Sequence, residues 1–313
     1  MMNDYTFASA LLATKSADLL TKNQFGDLRQ ADDAGFVLKL HALGYGLDNK
    51  NHTVSEIVES EVIKLKEELR EITPHDDLSL FFFAKYDLTN IRSFYKKKLF
   101  NIEFSPIEEA GHLSEKELTL AILKNEYSTV DDLYKNLFFR ISEQQFQNVN
   151  ALVHSLQQTF QDLLFEAVLA RKDEALKTYF VISTDINNLL TLLRVRRLEL
   201  NAEYLRSNLL GHGSIDIEEI TALLPLQKRD IAERYSLLFM SRFVEPLERF
   251  FSEGDFAALE HSLLKVLLEE LNSLQIDIRS SSAIITYVIR KQIEIIDIHR
   301  LFLSREAPLM VEA

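Results

Sequence analysis

No cysteine occurs among the 313 residues. Disulfides, thiolate catalysis and cysteine-ligated zinc or iron–sulfur clusters are thereby excluded. Glycine and proline are scarce, at eight and five, and neither occurs between Gly111 and Gly211 or from Asp255 to Ala307. A strand-rich fold of this length needs many tight turns, and such turns need Gly, Pro or Asn-Gly pairs. What remains is an all-α chain of long helices joined by short polar connections. No run of eighteen apolar residues occurs, so no direct membrane span is expected. Met1 to Lys22 interrupts its apolar residues with Asp4, Lys15, Asp18 and Lys22, unlike a signal peptide. Positive charge is also short, with 35 Lys and Arg against 48 Asp and Glu and a net charge of −13. Nucleic acid, whose phosphates require clustered cations, is excluded as a partner, and adhesion to anionic lipid is disfavoured. The expected location is the cytoplasmic side of a membrane or the cytoplasm itself.

Motifs that carry chemistry are missing as well. There is no GxxxxGK[ST] loop, and Gly44-Tyr-Gly46 lacks the third glycine and the lysine of a phosphate cradle. The eight histidines never take HExxH spacing. Glu108-Glu-Ala-Gly-His112 has the wrong spacing for a carboxylate-bridged diiron site. Neighbouring acids such as Glu269-Glu270 diverge by about 100° on a helix, so they cannot share a proton as a catalytic dyad does. No catalytic residue, cofactor or metal is assigned.

Several helix starts can be placed. Thr53, Ser114 and Asp216 each stand three residues before a glutamate, the spacing of a capping box. Asp76, Asp77, Ser128 and Asp255 mark other starts, and Pro74, Pro106, Pro225 and Pro246 mark boundaries. One helix is expected from Asp173 to Asn208, about 50 Å long if unbroken, with a kink near Ser183-Thr184 as the alternative. Phe81, Phe82 and Phe83 point three ways around a helix, so at least one should leave the local core for a seam or a partner.

What is present is a repeat. Asp87-Leu-Thr-Asn90 returns ninety-eight residues later as Asp185-Ile-Asn-Asn188, and Lys291-Gln-Ile-Glu294 reads as a third copy. A basic residue follows nine positions on in each, at Lys96, Arg194 and Arg300, and Ile91, Leu189 and Ile295 recur four in. A helix-sized unit used three times at a period near 100 implies one module arranged three times. The expected domains are residues 1–110, 111–211 and 212–313, with the N-terminal helix able to join the third. Three polar rows run along these helices: Asn90, Ser93, Lys96; Asn188, Thr191, Arg194; and Glu294, Asp297, Arg300. Two readings are open for them. They form a solvated outer face with ordinary i,i+3 pairs, or they turn toward a polar central cavity that receives a partner.

The Asp87-x-x-Asn90 and Asp185-x-x-Asn188 motifs with their following cations resemble the signature of the C subunit of V-type and A-type ATPases, whose eukaryotic counterpart is the d subunit. So does Tyr287-x-x-x-Lys291-x-x-Glu294-x-x-x-x-x-Arg300. Tyr5-Thr-Phe7-Ala8 followed by Leu19-Leu20 is similar to the family's opening helix, and Leu40-His-Ala-Leu43-Gly44-Tyr45-Gly46 to the segment after it. Two departures stand out: Ser9-Ala10-Leu11-Leu12 lacks an arginine common there, and the third copy replaces the Asp/Asn pair. The resemblance implies three similar helical domains in a pseudo-threefold funnel. It implies a non-catalytic adaptor, present once per complex, between the central-stalk subunits and the membrane rotor (proteolipid) ring, passing torque for proton or sodium transport or for ATP synthesis. The alternative is a helical-repeat scaffold with soluble protein partners, although such repeats usually run 20 to 50 residues.

Overall fold

At the head of most helices stands a Thr, Ser, Asp or Asn, and at nine of them its side-chain oxygen takes a backbone N–H that the helix leaves unbonded. In the computed structural model, which describes residues 5–46, 51–73, 78–103, 107–239, 241–273 and 280–305, fifteen α-helices follow one another and no strand occurs among the described residues. They are α1 (Thr6–Lys15), α2 (Lys22–Arg29), α3 (Asp33–Ala42), α4 (Val54–Ile72), α5 (Ser79–Phe100), α6 (Glu115–Leu118), α7 (Asp132–Ser142), α8 (Val149–Arg171) and α9 (Glu174–Arg197). After these come α10 (Ala202–Asn208), α11 (Ile217–Ala222), α12 (Lys228–Phe239), α13 (Val244–Glu253), α14 (Phe256–Ser273) and α15 (Ser282–Leu303). A π-turn, Thr119–Leu123, extends α6.

The capping boxes at Thr53–Glu56 and Ser114–Glu117 form in both directions. Asp216 accepts from Glu218 N instead of Glu219 N, and Asp255 accepts from Ala257 N and Ala258 N. A further box, Thr21–Gln24, opens α2. Ser128 starts nothing; α7 begins at Asp132. Pro74, Asp76, Asp77 and Pro106 lie outside the described residues.

The long helix expected over 173–208 is two helices. Glu199 takes a left-handed φ of 52°, and the N–H of Leu200 bonds back to Val195 O at 3.0 Å, which terminates α9. Asn201 then caps α10 through Tyr204 N. At ~1.5 Å per residue α9 is about 36 Å long. It runs unbroken through Ser183-Thr184, where the Thr184 hydroxyl donates to Phe180 O at 2.9 Å.

Contacts divide the chain into two compact units. The first joins Asn3–Phe82 to Asn272–Ala313; the second is Phe83–Leu271. In the first, α15 packs on α1, α2 and α4 around a core of Leu20, Phe25, Leu28, Phe36, Leu40, Val54, Ile57, Ile298 and Leu301. In the second, α7 packs on α8 and α8 on α9. Stacked rings run from Tyr127 through Phe138 and Tyr134 to Phe160, at 6.0–6.5 Å between centroids. Phe81, Phe82 and Phe83 are all buried.

Candidate functional site

The repeated acids and amides lie in the interior. Asp87 and Asn90 on α5, and Asp185 and Asn188 on α9, are each no more than 3% exposed. A buried carboxylate needs several donors and a buried amide needs both a donor and an acceptor. Both motifs find them in the loop that starts the next group of helices. Asp87 Oδ1 accepts from His112 N at 2.6 Å and Leu113 N at 3.0 Å. Its Oδ2 accepts from the Tyr134 hydroxyl at 2.7 Å and lies 3.0 Å from His112 Nδ1. Asn90 takes the N–H of Glu108 at 2.9 Å and donates to the same residue's carbonyl at 3.0 Å. The amide thus replaces the backbone partner that an irregular loop lacks.

The second copy repeats this placement. Asp185 accepts from Ser214 N at 2.8 Å, from the Ser214 hydroxyl at 2.7 Å and from Ile215 N. Asn188 bonds both Leu210 N at 2.7 Å and Leu210 O at 2.9 Å. Counted from the N-cap of the following helix, Ser114 or Asp216, the partners coincide. The acid takes the two amides just before the cap, and the asparagine clasps the residue six before it. Three before the cap stands a glycine in each case. A Cβ on Gly111 would sit 2.9 Å from Asp87 Oδ1 and 3.1 Å from Asn90 Nδ2, and one on Gly213 would be closer still to Asp185 Oδ1. The acid's close approach therefore requires glycine there.

The third copy follows the same rule in a register shifted by three. Glu294 Oε2 accepts from Leu20 N at 2.5 Å, the amide just before the Thr21 cap, and its Oε1 accepts from the Tyr45 hydroxyl at 2.5 Å. Glu294 and Asp297 are 1% and 0% exposed, as the Asp/Asn pairs are, while Ile296 between them is exposed like Thr89 and Asn187. Glu294-Ile-Ile-Asp297, rather than Lys291-x-x-Glu294, thus corresponds to the Asp/Asn motif. Lys291 stands one turn earlier, 2.7 Å from Glu294 Oε1 and 3.4 Å from Glu61 Oε2.

The polar rows are consequently not a solvated face. Asn90, Asn188, Glu294 and Asp297 are buried, and Ser93, Lys96, Thr191 and Arg300 are half-buried. Arg194 alone in the rows is exposed; it pairs with Glu260 at 2.5 Å and lies 5.9 Å from the Phe256 ring centre. The signal missed in the sequence was the glycine: in a chain with only eight, one follows each Asp motif by 24 and 28 residues.

The electrostatics match this use. Burial pushes the Asp185 carboxyl up to about 6, against the opposing pull of its bonds to Ser214 and Ile215. Burial, and then the charge of Glu294, raise the Tyr45 hydroxyl far above its ordinary range. Tyr235 is raised by burial and then by Asp185. Each acid faces backbone N–H groups and hydroxyls inside its own unit, an arrangement that fixes loops. Among the described residues no group of three or more His, Asp or Glu is placed to hold a metal ion, and no helix is long and apolar enough to cross a membrane.

Known proteins are similar to this chain over most of its length. The model of the ATP synthase (C/AC39) subunit family matches residues 8–309. The C subunit of the A-type ATP synthase of Thermococcus kodakarensis is 26% identical over 316 positions, spanning 93% of this chain and 84% of its own. That of Desulfurococcus sp. is 25% identical with the same shares, and that of Thermococcus onnurineus 24% identical over 93% and 83%. On the family match over nearly its whole length, the chain belongs to the ATP synthase (C/AC39) subunit family.

Proposed function

We propose that this chain is the non-catalytic rotor adaptor of a rotary V/A-type ATPase. In this reading it sits on the cytoplasmic face of the membrane, linking the central stalk of the ATP-hydrolysing head to the proteolipid ring. It passes torque between them in ion transport or ATP synthesis. The observation that carries the reading is the family match over residues 8–309. The physical features agree with it. Load transmission needs stiffness, and long helices whose connecting loops are fixed by buried carboxylates supply it. Residues 1–110, 111–211 and 212–313 then form three related domains about a pseudo-threefold axis, with the N-terminal segment joined to the last. Lys96 and Arg194, nine residues after their aspartates, and Arg300, six after Glu294, are the cations proposed to meet the stalk.

A tagged chain purified from its native membranes in mild detergent should bring down stalk, head and ring proteins together, and the isolated chain should hydrolyse no ATP. Reversing charge at Arg194 and Arg300 should weaken that recovery while leaving the helical content unchanged. Recovery with soluble proteins only would favour the scaffold reading and end this one.

A further inference from the structure

The three loop-fixing sites differ in one respect that has a mechanical consequence. At the Asp87 and Asp185 joints, the backbone amides that the acid takes lie 25 to 30 residues away in the chain, and the Tyr134 hydroxyl lies 47 residues from Asp87. The chain itself keeps them near one another. At the Glu294 joint the partners are 274 and 249 residues away. Closing so long a loop costs more entropy than closing a short one, and no short stretch of chain brings Glu294 back to Leu20.

The joint without that tether carries an added ionic connection. One turn before the acid, the first two copies have Ala84 and Ile182, and the third has Lys291. The Lys291 ammonium bridges Glu294 and Glu61 and lies 4.2 Å from the Tyr45 ring centre. Glu61 on α4 in turn accepts from Gly46 N at 3.0 Å and from Lys64 Nζ at 2.8 Å. Lys64 also donates to Gly46 O at 2.5 Å. One connected set of charges thus ties α15 to α4 and to the segment after α3. Its carboxylates are almost wholly buried, so removing one partner strands another.

We propose that Glu294, Lys291 and Glu61 form a latch that holds the N-terminal segment on α15, replacing the chain continuity of the other two joints, and that this joint is where the fold opens first. The first unit is assembled from the two ends of the chain, so opening the latch frees residues around Leu20 to Tyr45 without unfolding the second unit. The proposal rests on the joints alone and does not depend on the rotor reading.

Native-state hydrogen exchange of the full chain, followed by mass spectrometry at rising denaturant, tests it. The amide of Leu20 should exchange through an opening at lower denaturant than the amides of Leu113 and Ile215. Glu294→Gln and Lys291→Met should each speed exchange at Leu20 by about tenfold or more and leave the other two nearly unchanged. If Glu294→Gln fails to fold, the wild-type series and Lys291→Met decide the matter. Three amides exchanging together in the wild type, or unchanged exchange at Leu20 in Lys291→Met, would overturn the latch.

Discussion

At the scale of the residue, the two aspartates that do the same work have different surroundings. Asp87 has a tyrosine hydroxyl and a histidine beside its second oxygen, whereas Asp185 has the Ser214 hydroxyl there. Burial lifts Asp185 to about 6 from an ordinary 3.8, against the pull of its bonds to Ser214 and Ile215. An acid whose pKa is raised on folding binds its proton more readily when folded. Its contribution to stability therefore grows as pH falls from about 6 toward 4, and above pH 6 the buried charge is a full penalty. Asp185→Asn keeps the shape and the carbonyl acceptor without the charge. Its unfolding free energy at pH 7 should equal or exceed that of the wild type, and the wild-type rise between pH 6 and 4 should flatten. Chemical denaturation across that range checks this; a large loss of stability at pH 7 would show that the carboxylate charge itself is needed.

At the scale of the element, two of the three signature helices end alike. Asn101 and Glu199, fourteen residues after their aspartates, both take left-handed φ, 54° and 52°, and the next amide bonds back into the last turn of the helix, Ile102 to Lys96 and Leu200 to Val195. Asparagine tolerates that conformation and glutamate does not, at a cost of about 1–2 kcal/mol. The Glu199 side chain is exposed. Glu199→Gly should therefore raise the unfolding free energy by about 1 kcal/mol, measured by urea titration; a loss would show that the side chain has a role of its own. Helices and caps were legible in the sequence because they depend on near neighbours: Thr53 and Glu56, or Ser114 and Glu117, lie three apart. The Asp and Asn pairs were legible as a motif, yet their burial was not. Polar side chains at helical spacing normally mark a wet face, and here each is covered by a loop beyond the end of its own helix. The separation from Asn90 to Glu108 is 18 residues and from Asn188 to Leu210 is 22. That difference hid the correspondence. The third copy is ambiguous in the sequence because Lys291-x-x-Glu294 and Glu294-x-x-Asp297 fit the same spacing, and only their burial and the bond from the Leu20 amide distinguish them.

At the scale of the whole molecule, the same construction recurs: a long helix whose buried acid seizes the start of the next helical group. Twice that group follows in the chain, and once it is the N-terminal segment. All three joints lie within the stretch matched by the family model, residues 8–309. In the adaptor role proposed above, internal fixation of this kind matters more than a reactive centre. The measurement that tests this most directly is coupling. Membranes carrying the motor, depleted of this chain and then resupplied with it, should show ATP-driven ion uptake only after resupply. Tightly coupled uptake by the depleted membranes would contradict the adaptor role.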